Sequence, residues 1–155
     1  MSFVVTAPAA DPVEAEIANG DFWPAVDPVK QRASQRIDSS ITPDRLRAAL
    51  IEAISSVNRE LDTWKATQIL AGYATLAEVP AEEVDGASML LHRYQRAVGC
   101  LAKADVTERM RDFDTTNEGH RQADALDPAI DELRRDARWA ISAILGIART
   151  TVELI

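Results

Sequence analysis

The side chains best suited to chemistry in this chain are two histidines, His92 and His120, and one cysteine, Cys100. A di-metal carboxylate site in a helical bundle sets Glu three residues before His, so that both ligands leave one helix face. Positions 89 and 117 hold Met and Asn instead, and that signature is missing. No HExxH, Walker A loop, GxGxxG or GxSxG occurs, and a lone Cys with two scattered His is a weak nucleophile constellation. Acids crowd the stretch from Asp124 to Asp136, but Arg134, Arg135 and Arg138 stand among them, which favours a solvated face of ion pairs over a carboxylate metal site. The expectation is therefore no enzyme, no metal and no cofactor, with both histidines structural or on the surface and Cys100 a buried, inert thiol.

Composition agrees with that reading. The chain has 155 residues, enough for one domain that buries roughly 70% of its unfolded surface without a metal or disulfide framework. Its single cysteine rules out an internal disulfide and fits an intracellular folding environment. The start, MSFVVTAPAADPVEAE, has no basic region, and no run of about 18 apolar residues occurs anywhere, so neither a signal peptide nor a membrane contact is expected. Net charge is −8, from 25 acids and 17 bases, and such a chain repels phosphate backbones overall.

The elements that must position these residues are helices. From Ala123 to Leu145 apolar residues fall at Ala123, Leu126, Ile130, Leu133, Ala137, Ala140 and Ile144, steps of three and four that draw one apolar seam along a helix. Pro128 either kinks this helix or, with Asp127 as N-cap, starts a second one. Two earlier start signals share a form: Asp27-Pro28 opens a short helix over 27–37, and Thr42-Pro43-Asp44 opens a long one. In the long one Leu46, Leu50, Ile54, Val57, Leu61 and Trp64 recur at helical spacing up to Gly72, giving a helix over about 43–71. Tyr73 to Val84 reads as a loop, and Asp85-Gly86 is expected to open the next helix. Its seam is Leu90, Tyr94, Ala97, Leu101 and Ala104, and it ends near Phe113. DTTNEG links it to the last helix, which Gly146 closes.

Three long helices with short connections predict an all-α fold: an antiparallel bundle plus a short N-terminal helix, with extended N- and C-terminal arms. The expected boundaries are 1–41 for the N-terminal arm, 42–146 for the bundle and 147–155 for the C-terminal arm. Small seam residues let the helices approach closely, and Leu133→Ala is expected to cost ~2–5 kcal/mol if Leu133 is in that core. Both arms have strand-like composition with no sequence-adjacent partner, so Phe3, Val4 and Val5 at one end and Val152, Leu154 and Ile155 at the other are candidate interface residues. Phe22 and Trp23 either staple the arm to its own core or anchor it in a partner's pocket. Trp139 lies one turn after Arg135, which allows a cation–π contact within the helix; a subunit contact is the alternative.

FWPAVDP, TPDRLRAALIEAISSVNRELDTW, AGYATLAEVPAEEVDGAS, YQRAVGCLAKADVTERM and ADALDPAIDELRRDARWAISAILG, in this order and spacing, resemble the head-completion (head-stabilisation) proteins of contractile-tailed temperate phages. The likeness runs from about Phe22 to the C-terminus and is weak before it. It implies an adaptor that forms a ring of its own copies, usually twelve-fold, beneath the portal protein in the phage neck. Such a ring helps retain packaged DNA, without sequence-specific contact, and offers a docking surface to the next neck or tail protein. It implies a place in the virion and, during assembly, in the host cytoplasm.

Two other classes compete. A helical DNA-binding regulator would need a short basic recognition helix, whereas these helices are long and their bases are mixed with acids. An enzyme on a helical bundle would need a metal site that the sequence does not announce.

Overall fold

The computed structural model describes residues 14–113 and 117–148, with the backbone alone over 111–113 and 117–128. Five helices follow in order: α1 (Pro28–Ser34), α2 (Pro43–Glu60), α3 (Asp62–Leu70), α4 (Met89–Phe113) and α5 (Asn117–Ile144). Between α3 and α4 lie a 3-10 turn, Leu76–Glu78, and a two-stranded antiparallel hairpin of β1 (Glu83–Val84) and β2 (Ala87–Ser88). The fold is mostly helical, and the hairpin is a small exception to the all-α expectation.

Local chemistry explains where the helices begin and end. The Asp27 carboxylate accepts from the Val29 and Lys30 amides at 2.9 and 3.2 Å, and Thr42 Oγ1 accepts from the Arg45 amide at 3.4 Å; in each case Pro occupies the first helical position, where no amide is needed. α1 stops at Ser34 rather than near Ile37. Arg36 takes φ 52, and the amides of Arg36 and Ile37 turn back to the carbonyls of Ala33 and Arg32, a Schellman closure with Arg in the position Gly usually fills. Gly72, at φ 100, closes α3 in the same way, its amide and that of Tyr73 reaching Ile69 and Gln68.

α4 holds the middle of the molecule. It runs antiparallel to α2 on one side and to α5 on the other, while α2 and α5 share no extended pairing among the described residues. A groove over Leu101 and Ala104 separates them, and the ion pair of Arg134 on α5 with Glu108 on α4, at 2.5 Å, lines its α5 side. The central place of α4 explains why its burial exceeds one seam: Leu90, Tyr94, Ala97 and Ala104 are buried as expected, and so are Val98, Cys100, Ala102 and Val106. On α2 the seam Leu46, Leu50, Ile54 and Val57 is buried, as is Leu61. Ile130, Ala137, Ala140 and Ile144 of α5 are buried, but Leu133 is only half-buried.

Three expectations are corrected. The helix expected over 43–71 is interrupted at Leu61, whose φ −96 and ψ 2 leave the α basin. Leu61 itself is fully buried, whereas no residue of α3 is, so the break is where the chain leaves the bundle core. Asp85-Gly86 does not open a helix. Both residues have positive φ, 53 and 70, the two-residue hairpin turn whose twist matches its strands; α4 begins after it, with Ser88 Oγ accepting from the Leu90 amide at 3.2 Å. The stretch Asn117 to Gly119, expected in a linker, belongs to α5, which continues through Pro128 as one helix.

The N-terminal segment is not all arm. Ile17, Phe22, Trp23, Val26, Ile37 and Ile41 join the core formed by α2 and α4. Burial fixes the expected costs of truncation. Leu50→Ala, at a fully buried position, should cost ~2–5 kcal/mol in urea unfolding, and half-buried Leu133→Ala less than ~2 kcal/mol.

Candidate interaction surface

The residues before α1 form a strap across α2 and α4. Ile17 and Val26 exchange both backbone hydrogen bonds, at 2.8 and 3.0 Å, around a turn in which Gly20 has φ 61. The strap delivers Trp23 between two other rings, stacked on Tyr94 at 5.0 Å and 15° and on Trp64 at 6.5 Å and 19°. Phe22 meets Trp23 edge-on at 4.8 Å and 89°, and its carbonyl accepts from the Leu76 amide at 2.9 Å. Phe22 and Trp23 are 3% and 6% exposed. Of the two readings of this pair, the structure has the staple to its own core. A partner's pocket cannot take Trp23 without dismantling that stack.

Behind the rings three polar side chains close a ring of hydrogen bonds. Tyr94 OH donates to Asn58 Oδ1 at 2.6 Å, Asn58 Nδ2 donates to Asn19 Oδ1 at 2.8 Å, and Asn19 Nδ2 donates to Tyr94 OH at 2.7 Å. Asn19 Nδ2 also reaches the Pro24 carbonyl at 3.2 Å. Tyr94 is fully buried, and burial pushes its hydroxyl up to about 12, against the bond from Asn19. Sequence reasoning placed Tyr94 in the seam and missed its partners. The available signal was Asn58, a poor helix former set beside Val57 in the middle of an apolar stretch.

A second clasp holds α1 against α4. Gln31 is buried and donates to the Gln95 carbonyl and Oε1 at 3.3 and 2.8 Å, and the Lys103 ammonium donates to the Gln35 carbonyl. Gly99 leaves room for these side chains, since a Cβ there would meet the far ends of Gln31 and Gln35 and displace them.

On the far flank, α4 and α5 enclose a groove of about 320 Å³ between Met89, Arg93, Arg96, Asp136, Trp139 and Ala143, with His92 at its lip. Arg96 pairs with Asp136 at 2.9 Å, Arg93 donates to the Ala143 carbonyl at 3.2 Å, and His92 Nε2 meets the Val84 carbonyl at 2.9 Å. Arg135 lies over the Trp139 ring, 4.6 Å from its centroid, which is the contact within α5 that their spacing allowed. Trp139 is 37% exposed. The structure thus brings Arg135 and Trp139 together on the surface and puts Phe22 and Trp23 inside. Phe3, Val4, Val5, Val152, Leu154 and Ile155 lie outside the described residues, as does the His120 side chain. Cys100 is buried, and burial, the largest effect, pushes its thiol up, so it stays protonated at neutral pH. No helix among the described residues is long and apolar enough to cross a membrane.

Residues 17–155 match the family described as phage head completion protein (GPL). The chain belongs to that family. The head completion/stabilization protein of Escherichia phage P2 is 40% identical over 152 residues, covering 98% of this chain and 89% of that protein. No solved structure matches the chain. The family match begins at Ile17, so it takes in the bridged strap, the aromatic stack and both clasps as well as the bundle.

The polar ring has a consequence for this head completion protein at high pH. Unfolding exposes Tyr94 to water, where its pKa is near 10, while the folded value is about 12; the stability it contributes is complete below pH 10 and is lost as pH rises toward 12. The loss amounts to ~2–3 kcal/mol, read as a steeper fall of the urea midpoint between pH 10 and 12 than in Tyr94→Phe, which at pH 7 is itself less stable by ~1–3 kcal/mol because Asn19 and Asn58 lose a partner.

Proposed function

We propose that this chain is a structural head-completion adaptor that forms a ring, about twelve-fold, beneath the portal in the phage neck. In that place it helps retain packaged DNA and presents a docking surface to the next neck or tail protein. The observation that carries the reading is the 40% identity across 98% of the chain to a protein named for head completion and stabilization. Its partners are copies of itself, the portal protein and the tail-side protein, and its place is the virion, after assembly in the host cytoplasm.

Charge supports the DNA part of this role. A ring whose subunits carry net −8 lets a polyanion pass or rest without binding it, since tight non-specific association needs several Lys or Arg on successive phosphates. The segments Ser2 to Thr6 and Thr150 to Ile155 serve as the arms that join subunits or portal. No similarity supports the DNA-binding regulator.

Phage made without this protein should package DNA and then lose it, or fail to join tails, scored by DNA content of purified heads and by electron microscopy. Heads that keep their DNA and join tails normally would end the proposal. Limited proteolysis should cut both arms in the free chain and spare them in assembled necks; equal protection in a verified monomer removes the arm contacts.

A further inference from the structure

Arg36 sits where its own fold gains nothing from it. It closes α1 at φ 52, a conformation in which a β-carbon crowds the following carbonyl and which glycine takes without that cost. Its exposed side chain has no hydrogen bond or ion pair among the described residues. A residue kept at a cost to the fold points to a use outside it. The same end of the molecule offers an apolar strip: α1 buries Pro28 and Gln31 and turns Val29 and Ala33 outward, Val29 being 51% exposed. The strip ends at the Arg36 guanidinium, and the Lys103 ammonium stands beside it on the Gln35 carbonyl. The acids nearby are engaged. Asp27 caps the helix and pairs with Lys30 at 3.6 Å, and Asp38 accepts from the Ser40 amide at 2.7 Å.

The β1–β2 hairpin is the counterpart of this strip. Residues 81–86 are all exposed, Val84 at 47%, and the side chains of Glu82, Glu83 and Asp85 have no hydrogen bond or ion pair among the described residues. No Lys or Arg occurs between Lys65 and Arg93, so nothing in the neighbouring sequence neutralises them. We propose that the hairpin of one copy docks on the α1 strip of a second copy, Val84 against Val29 and Ala33, with Glu82 and Glu83 toward Arg36. Each surface supplies the charge that the other lacks and an apolar side chain for the other to cover. Ala87 of β2 and Lys30 of α1 line one pocket, which puts the two surfaces side by side on one face of the subunit. A face that carries both halves of a contact is self-complementary, and two copies related by a two-fold axis satisfy it twice. Such a pair closes at two copies. It is a form of the free chain, separate from the ring proposed above, and does not rest on that ring.

Sedimentation equilibrium of the full-length protein over a range of concentrations tests the pairing, with three variants: Arg36→Gly, Arg36→Glu and Glu82→Lys/Glu83→Lys. Wild type should show a monomer–dimer equilibrium, and each variant should weaken the dimer at least about ten-fold. Dilute, monomeric Arg36→Gly should melt no lower than wild type, because glycine suits φ 52 at the end of a helix, so that its loss of pairing is not a loss of fold. An equimolar mixture of Arg36→Glu with Glu82→Lys/Glu83→Lys should recover the dimer, since the reversed hairpin of one meets the reversed strip of the other and their unaltered surfaces also match. Wild-type protein that stays monomeric up to about 1 mM would overturn the inference. So would a dimer that none of the substitutions weakens, or loss in the two charge reversals without recovery in their mixture. The ring reading is tested separately, on portal rings.

Discussion

The stack of Trp23 between Trp64 and Tyr94 is the contact on which the arrangement of this head completion protein depends. It joins the strap, α3 and α4 at one place, and the hydrogen-bond ring of Asn19, Asn58 and Tyr94 gives that place a single register. An apolar stack alone could slide, since dispersion and burial have little direction. The buried Tyr94 hydroxyl and Asn19 amide cannot, because each displaced donor or acceptor would be left unsatisfied at a cost of ~1–3 kcal/mol. The strap is therefore held in one register across α3 and α4.

Around that point the molecule divides into an inside and two flanks. α4 is buried on several sides because α1 and α2 cover one flank and α5 the other. The Gln31 bonds to Gln95 hold α1 there, and Gly99 leaves room for the Gln31 and Gln35 side chains. The α5 flank keeps the charged face with Arg135 over Trp139 and the groove that Arg93, Arg96 and Asp136 line.

Much of this was legible in the chain. The seam of α2 was read at Leu46, Leu50, Ile54 and Val57, and the caps at Asp27 and Thr42, because burial periodicity and capping chemistry are local. The break at Leu61 was not, since no Gly or Pro marks it and the reason, departure from the core, is tertiary. Asp85-Gly86 carried a hairpin signal that the helix behind it obscured. The choice between the two readings of Trp23 needed the positions of Trp64 and Tyr94, which lie far along the chain. Family resemblance supplied what no residue pattern could, a structural role in the phage head, because periodicity and capping report on the core and not on the surfaces that such a role uses.

The proposed role is that of a portal-bound neck adaptor. The most direct measurement is the mass of purified portal rings before and after addition of the full-length protein. The account predicts a discrete increase corresponding to about one copy of this chain per portal subunit. Portal rings of unchanged mass at saturating protein would contradict it.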